Sequence, residues 1–176
     1  MRIKTRRVLR GVGLGAVLLA TAAWGQVTAV PKLDFPKFAG AWYQIAKFPT
    51  KKEKACAANA VVMFTKSEKA YRFDVVRSCT TKDDTADAVN MVGRMEDKSG
   101  DGRLRVGLFW PLLKRYWVLA TGPDYEWALV GDPQRKTLWV LSRKTTLGAE
   151  DLAAAKAKAQ AEGFDVSKLV GMKQGQ

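Results

Sequence analysis

The sequence predicts an all-β fold, an eight-stranded antiparallel up-and-down β-barrel with one C-terminal α-helix packed outside it. Three observations predict this. Short alternating runs follow one another at 41–48, 57–65, 70–78, 88–95, 103–109, 115–121, 125–131 and 137–143, punctuated by the turn-like stretches KSEK, DKSGDG, TGPD and GDPQRK. The alternation leaves one apolar and one wet face, as antiparallel strands do: Tyr71, Phe73 and Val75 alternate with Arg72 and Asp74, and Leu104, Val106 and Leu108 with Arg103, Arg105 and Gly107. One Ala-rich segment near the end carries helical signals. Eight strands in sequence order close into a barrel wide enough for one small ligand, and a sandwich of the same strands is the structural alternative.

The chain of 176 residues suits a single domain, since all-β barrels of about 200 residues routinely fold as one unit. Its first stretch, MRIKTRRVLRGVGLGAVLLATAAWGQ, runs from a basic segment through an apolar one to small residues. That is the layout of a secretory leader, too short for a membrane span. We expect residues 1–25 to be a cleaved signal peptide, 26–33 a linker and 34–176 the folded domain. No Cys follows the apolar stretch to accept lipid, so release without a lipid anchor is expected, into the periplasm or the medium. Arg6 and Arg7 are better read as the usual basic flank of general secretion than as a twin-arginine signal.

Removing Arg2, Lys4, Arg6, Arg7 and Arg10 lowers the formal net charge from +13 to +8. A basic excess suits an anionic surface, although a solvated surface without a partner gives the same count. Export argues against nucleic acid. There are two Cys and no His. The missing imidazole excludes a Ser-His-Asp triad, a Cys-His pair and a His-rich metal site, so neither enzyme chemistry, a metal nor a cofactor is expected.

The first strand opens on GAWYQIA, with Gly40 and Trp42 at its head. The second and third form a hairpin. Centring its turn on Ser67 and Glu68 pairs Phe64 with Tyr71, Val62 with Phe73 and Cys56 with Cys79, which predicts a disulfide in an exported chain. Segment 149–162 reads as a helix, with Glu150 and Asp151 in its first turn, Gly163 just past its end and a narrow apolar face of Leu152, Ala155 and Ala159. Residues 164–170 read as a final short strand.

GAWYQIA resembles the first motif of the lipocalins, LATGPDYEWALV their second around Asp124 and Tyr125, and LWVLSR their third, ending in Arg143. Three motifs in order are specific where one is weak. WYQIAKFP, LWVLSR and EGFDVSKL look like the bacterial, apolipoprotein D-like lipocalins, and the resemblance covers roughly residues 34 to 170. The barrel topology checks it independently. Successive strands alternate direction, so Gly40 and Trp42, Asp124 and Tyr125, and Arg143 meet at one end. There the Trp42 indole plugs the barrel, Gly40 lets the chain cross closely, and the Arg143 guanidinium covers the indole.

Function is therefore expected at the opposite end. Lys51, Lys52 and Lys54 lie in one loop there, and Phe109, Trp110, Leu112 and Leu113 in another, an apolar finger that either meets a membrane or packs on the helix or a neighbouring loop. Parity turns Tyr71, Phe73, Val75 and Arg77 inward, with Leu104, Val106 and Leu108 as their fifth-strand counterparts; Met91, Tyr116 and Trp139 are further cavity candidates. Arg77 either meets an anionic head group or snorkels to water or Asp83. The resemblance implies a long-chain fatty acid or lysophospholipid as ligand. The absence of His adds that it is held without turnover, the lysine loop and the finger point to transient contact with an anionic membrane, and a monomer or weak dimer is expected. The rivals are a lipid-modifying enzyme using a nucleophilic Cys and a membrane-docking interaction protein with a filled barrel.

Overall fold

The computed structural model describes residues 25–50 and 56–175, so the leader and Lys51, Lys52 and Lys54 lie outside the described residues. All eight expected strands form, as β1 (Gly40–Lys47), β2 (Cys56–Lys66), β3 (Arg72–Thr81), β4 (Ala86–Met95), β5 (Arg103–Gly107), β6 (Lys114–Thr121), β7 (Trp127–Gly131) and β8 (Leu138–Ser142). Each pairs antiparallel with its sequence neighbour from β2 to β8, β8 pairs with β1, and β1 with β2. The sheet is thus a closed meander. Helix α2 (Ala149–Ala161) lies outside it, against β6 and β7.

One end is solid. Asp34 accepts a hydrogen bond from the Lys37 amide and caps a one-turn helix, α1 (Phe35–Phe38), with Pro36 in its first turn. The sequence reading missed this turn. It carries Phe35 and Phe38 across the base of the barrel, where Phe38 meets Trp42 at 5.4 Å and Phe64 at 5.0 Å between ring centroids, and Phe35 meets Phe73 at 4.8 Å. Gly93 faces Phe73 across β3 and β4, and a Cβ there would stand 2.0 Å from the ring, so only glycine leaves room for this floor. Segment 26–33 runs along the barrel: Val27 and Leu33 are buried, and Val30 exchanges main-chain hydrogen bonds with Val118 and Gly102.

The β2–β3 register differs from the expected one. Phe64 faces Val75 and Val62 faces Arg77, because the connection spans residues 67–71 and Tyr71 adopts the left-handed conformation (φ 61°) instead of starting the strand. Register shifts between Cys56 and Ala58 and between Ala58 and Val61, with Asn59 at φ 54°, then draw the strands back, leaving Cys56 opposite Thr81. Cys79 is its diagonal neighbour, and the two form the expected disulfide with Cα atoms 5.5 Å apart.

Helix α2 buries Ala155 and Ala159 completely; alanine is small enough to let the helix lie close on the sheet. Gly163 (φ 81°) ends it, with its amide and that of Phe164 donating to the carbonyls of Gln160 and Ala159. Glu162 ties the helix end down, accepting from Lys158 Nζ and the Thr28 amide, both at 2.7 Å. Burial alone would raise its carboxyl pKa, but these hydrogen bonds outweigh that and hold it below the usual value.

Beyond the helix the expected strand over 164–170 is replaced by a 3-10 turn (Val166–Lys168) and a short strand displaced towards the C-terminus, β9 (Val170–Gly171). It fills a gap. Strands β1 and β2 pair only from Gly40 with Phe64 to Tyr43 with Val61, and above that they part. Residues 170–175 occupy the parting: β9 pairs with Ala46 and Lys47, the Met172 amide donates to Ile45, the Asn59 amide to Lys173, and Gln174 Nε2 to the carbonyls of both Gln44 (2.7 Å) and Ala60 (3.2 Å).

Candidate functional site

The three motif regions converge on the closed end. Trp42 is fully buried and its Nε1 donates to the Phe38 carbonyl at 2.8 Å. The Arg143 guanidinium lies 3.7 Å from the centroid of the indole and donates to the carbonyls of Lys37, Phe38, Ala39 and Ala41. Gly40 sits at φ 100°, and a Cβ there would come within 3.2 Å of Arg143 Nη1. Asp124 and Tyr125 are both left-handed, in a turn that brings the Tyr125 hydroxyl to accept from the Asp34 amide at 2.9 Å. Trp42 and Arg143 thus hold the 37–41 backbone at the base of the barrel, and Tyr125 ties down the chain just before it.

At the other end the barrel opens into a cavity of about 510 Å³. Val75, Met91 and Val106 form part of its wall, as parity requires, and Tyr116 and Trp139 face each other within it with ring centroids 5.2 Å apart. Arg77 lines it too. Its rim carries Lys114, Arg115 and Lys136, and among the described lining residues Asp132 alone is acidic. That carboxylate accepts from the amides of Gln134 and Lys136 and from the Thr137 hydroxyl, so it braces the β7–β8 turn. The lining therefore has an apolar wall and an excess of cations.

Four expected lining residues fall elsewhere, Leu104 among them, which is fully buried in the core cluster that includes Phe73. Phe73 belongs to the aromatic floor, fully packed below the cavity. Tyr71 precedes β3 in its left-handed turn and is exposed beside Lys98, because that backbone conformation breaks the alternation on which the inward assignment rested. Leu108 follows the end of β5 at Gly107 and is 59% exposed, since the chain there has already left the sheet. Conversely, Leu113, expected on the outer finger, lines the cavity. Gln44 and Val62 also line it and were missed, although Gln44 shares the parity of Trp42 two residues before it.

The finger does not pack on the helix. Phe109, Trp110 and Leu112 are 56%, 63% and 64% exposed, and the contact made by the Trp110 indole is with the Arg94 guanidinium, 4.7 Å from its centroid. Beside it on the outer wall, Glu96 accepts from Arg105 Nη2 (2.7 Å) and Trp117 Nε1 (2.8 Å). Burial opposes ionisation of Glu96, yet these donors and the nearby Arg115 hold its pKa below the usual carboxylate value.

A family model described as a lipocalin-like domain matches residues 33–174. The outer membrane lipoprotein Blc of Escherichia coli (strain K12) is 31% identical over 163 residues, covering 84% of this chain and 83% of that protein. Apolipoprotein D of Mus musculus is 28% identical over 146 residues, covering 77% and 74%. Among solved structures, insecticyanin from the tobacco hornworm Manduca sexta superimposes with a TM-score of 0.68 over 86% of each chain at 21% identity. Lobster apocrustacyanin A1 does so with 0.66 over 81% of each at 16% identity. These two share the fold.

Proposed function

The chain belongs to the lipocalin-like family, and from that membership we propose that it holds a long-chain fatty acid or lysophospholipid in its barrel cavity, head group outward, as an exported carrier in envelope lipid transport or maintenance. One observation carries the reading: a cavity of about 510 Å³ with an apolar wall and a cationic rim. That volume lies in the range of about 300–1,000 Å³ usual for small-molecule sites. Burying an acyl chain there contributes about 0.8 kcal/mol per methylene, and Lys114, Arg115 and Lys136 are suited to an anionic head.

The cavity disfavours a filled-barrel interaction protein. A nucleophilic cysteine, which the enzyme reading needs without His, is disfavoured because both sulfurs are joined to each other. The disulfide favours an oxidising compartment, in line with residues 1–25 as a cleaved leader and with a periplasmic or secreted protein. The exposed finger at Leu108, Phe109, Trp110 and Leu112, on a chain of net positive charge, supports transient docking on an anionic membrane from which ligand is taken.

Titration of the delipidated protein with a fluorescent fatty acid tests the reading. Saturable one-to-one binding, with tryptophan quenching through Trp139 and displacement by lysophospholipid, is expected. An absence of saturable binding overturns it.

A further inference from the structure

The inner end of the cavity holds a polar group that no part of the protein engages. Gln44 follows Trp42 on the inward face of β1 and stands opposite the fully buried Leu141 of β8. It is 4% exposed and lines the cavity. Among the described residues its side-chain amide makes no hydrogen bond; only its main-chain carbonyl is used, by Gln174 Nε2. The backbone at this position is therefore fixed from both sides, by the β8 ladder and by the tail, while the amide itself faces the cavity with no protein partner among the described residues.

A ligand that strips water from this amide without replacing its hydrogen bonds leaves the amide unpaired, which costs affinity. Its chemistry says what fits. The group is neutral, with two N–H donors and a carbonyl acceptor, so it matches an uncharged oxygen, a hydroxyl or a carbonyl, which can give or take one hydrogen bond. It does not match an ionised head, whose natural partners Lys114, Arg115 and Lys136 stand at the rim. Polar groups thus stand at both ends of a passage whose wall includes Val62, Val75, Met91 and Val106 as well as Arg77.

We infer that Gln44 is an anchor for an uncharged oxygen on the buried end of the ligand, so that the preferred ligand is an amphiphile with an anionic head and an oxygenated tail. This rests on the acyl-binding reading above and narrows its substrate class. A plain saturated chain leaves the amide unpaired when it displaces water from the floor, whereas a chain ending in a hydroxyl satisfies it. A site built to hydrogen-bond an oxygen rejects the analogue that lacks it more strongly than an apolar pocket rejects an extra one.

The test titrates the delipidated full-length protein with saturated fatty acids graded in chain length and with their terminally hydroxylated counterparts. At the best-fitting length the hydroxy acid is expected to bind roughly tenfold tighter than the plain acid, the discrimination of about one good hydrogen bond. Gln44→Leu is expected to abolish or invert that preference. Equal affinity of the two series for the wild-type protein, at every length, overturns the inference and leaves the acyl-binding reading intact; failure of both series to bind overturns both. The wild-type comparison needs no variant. Should Gln44→Leu fold, shown by an unchanged thermal transition, and keep the wild-type preference, the anchor is not Gln44.

Discussion

Arg143 is the residue on which the closed end depends most. Its guanidinium lies on the Trp42 indole while its N–H groups reach four carbonyls of the chain that crosses beneath. Cation–π attraction of a desolvated pair contributes about 2 kcal/mol, and each charge-assisted hydrogen bond about 1.5–3 kcal/mol before losses to partial exposure. Arg143→Lys keeps the charge but not the planar fork, so we expect stability to fall by about 2–4 kcal/mol in urea denaturation with little change in ligand affinity. Loss of fatty-acid binding at unchanged stability contradicts the division between a structural and a binding end. Gly40, Trp42 and Arg143 were legible from the resemblance of their motifs to those of the lipocalins, and the alternating direction of meander strands checked that they meet. Gln44 was equally legible by parity. Tyr71 and Leu108 were not, because alternation holds only inside a strand, and the first is left-handed while the second lies past a strand end.

Among the elements, the β2–β3 hairpin shows what alternation leaves open. Period two assigns faces but not register, which is set by the turn and by bulges. The turn here is longer than the one centred on Ser67 and Glu68, and the register shifts near Ala58 partly undo the difference, so that Cys56 and Cys79 still meet, diagonally. The bond closes a loop with a sequence separation of 23, for which the chain-entropy estimate is roughly 3 kcal/mol. Replacing both cysteines with serine should lower the stability measured in urea by about that amount; a loss near zero means that the strand pairing already constrains the unfolded chain. Helix α1 was missed for want of length, although its Asp34 cap and Pro36 were visible; α2 was legible from composition and its terminal Gly163.

The whole molecule has a tightly packed end and an open, basic one, and the finger extends the second into an outward apolar edge. Charge and apolar contact should separate on a bilayer, since each lysine near an anionic surface contributes about 1 kcal/mol that fades within a Debye length, while inserted Trp and Leu are not screened. Changing Trp110 and Leu112 to Ser should slow lipid transfer from anionic vesicles even at high salt; changing Lys51, Lys52 and Lys54 to Gln should flatten the salt dependence only. Transfer at the parent rate by both variants removes the membrane from the picture. The segment that fills the parting of β1 and β2 bears on how the barrel comes into being. Residues 170–175 are synthesised after every strand they bridge, so a chain emerging N-terminus first can complete seven of its neighbour pairings, and even join β8 to β1, while the upper half of the last seam still stands open. Without residues 170–175 the upper parts of β1 and β2 would have no main-chain bridge between them, so the last residues of the chain complete the wall of the cavity.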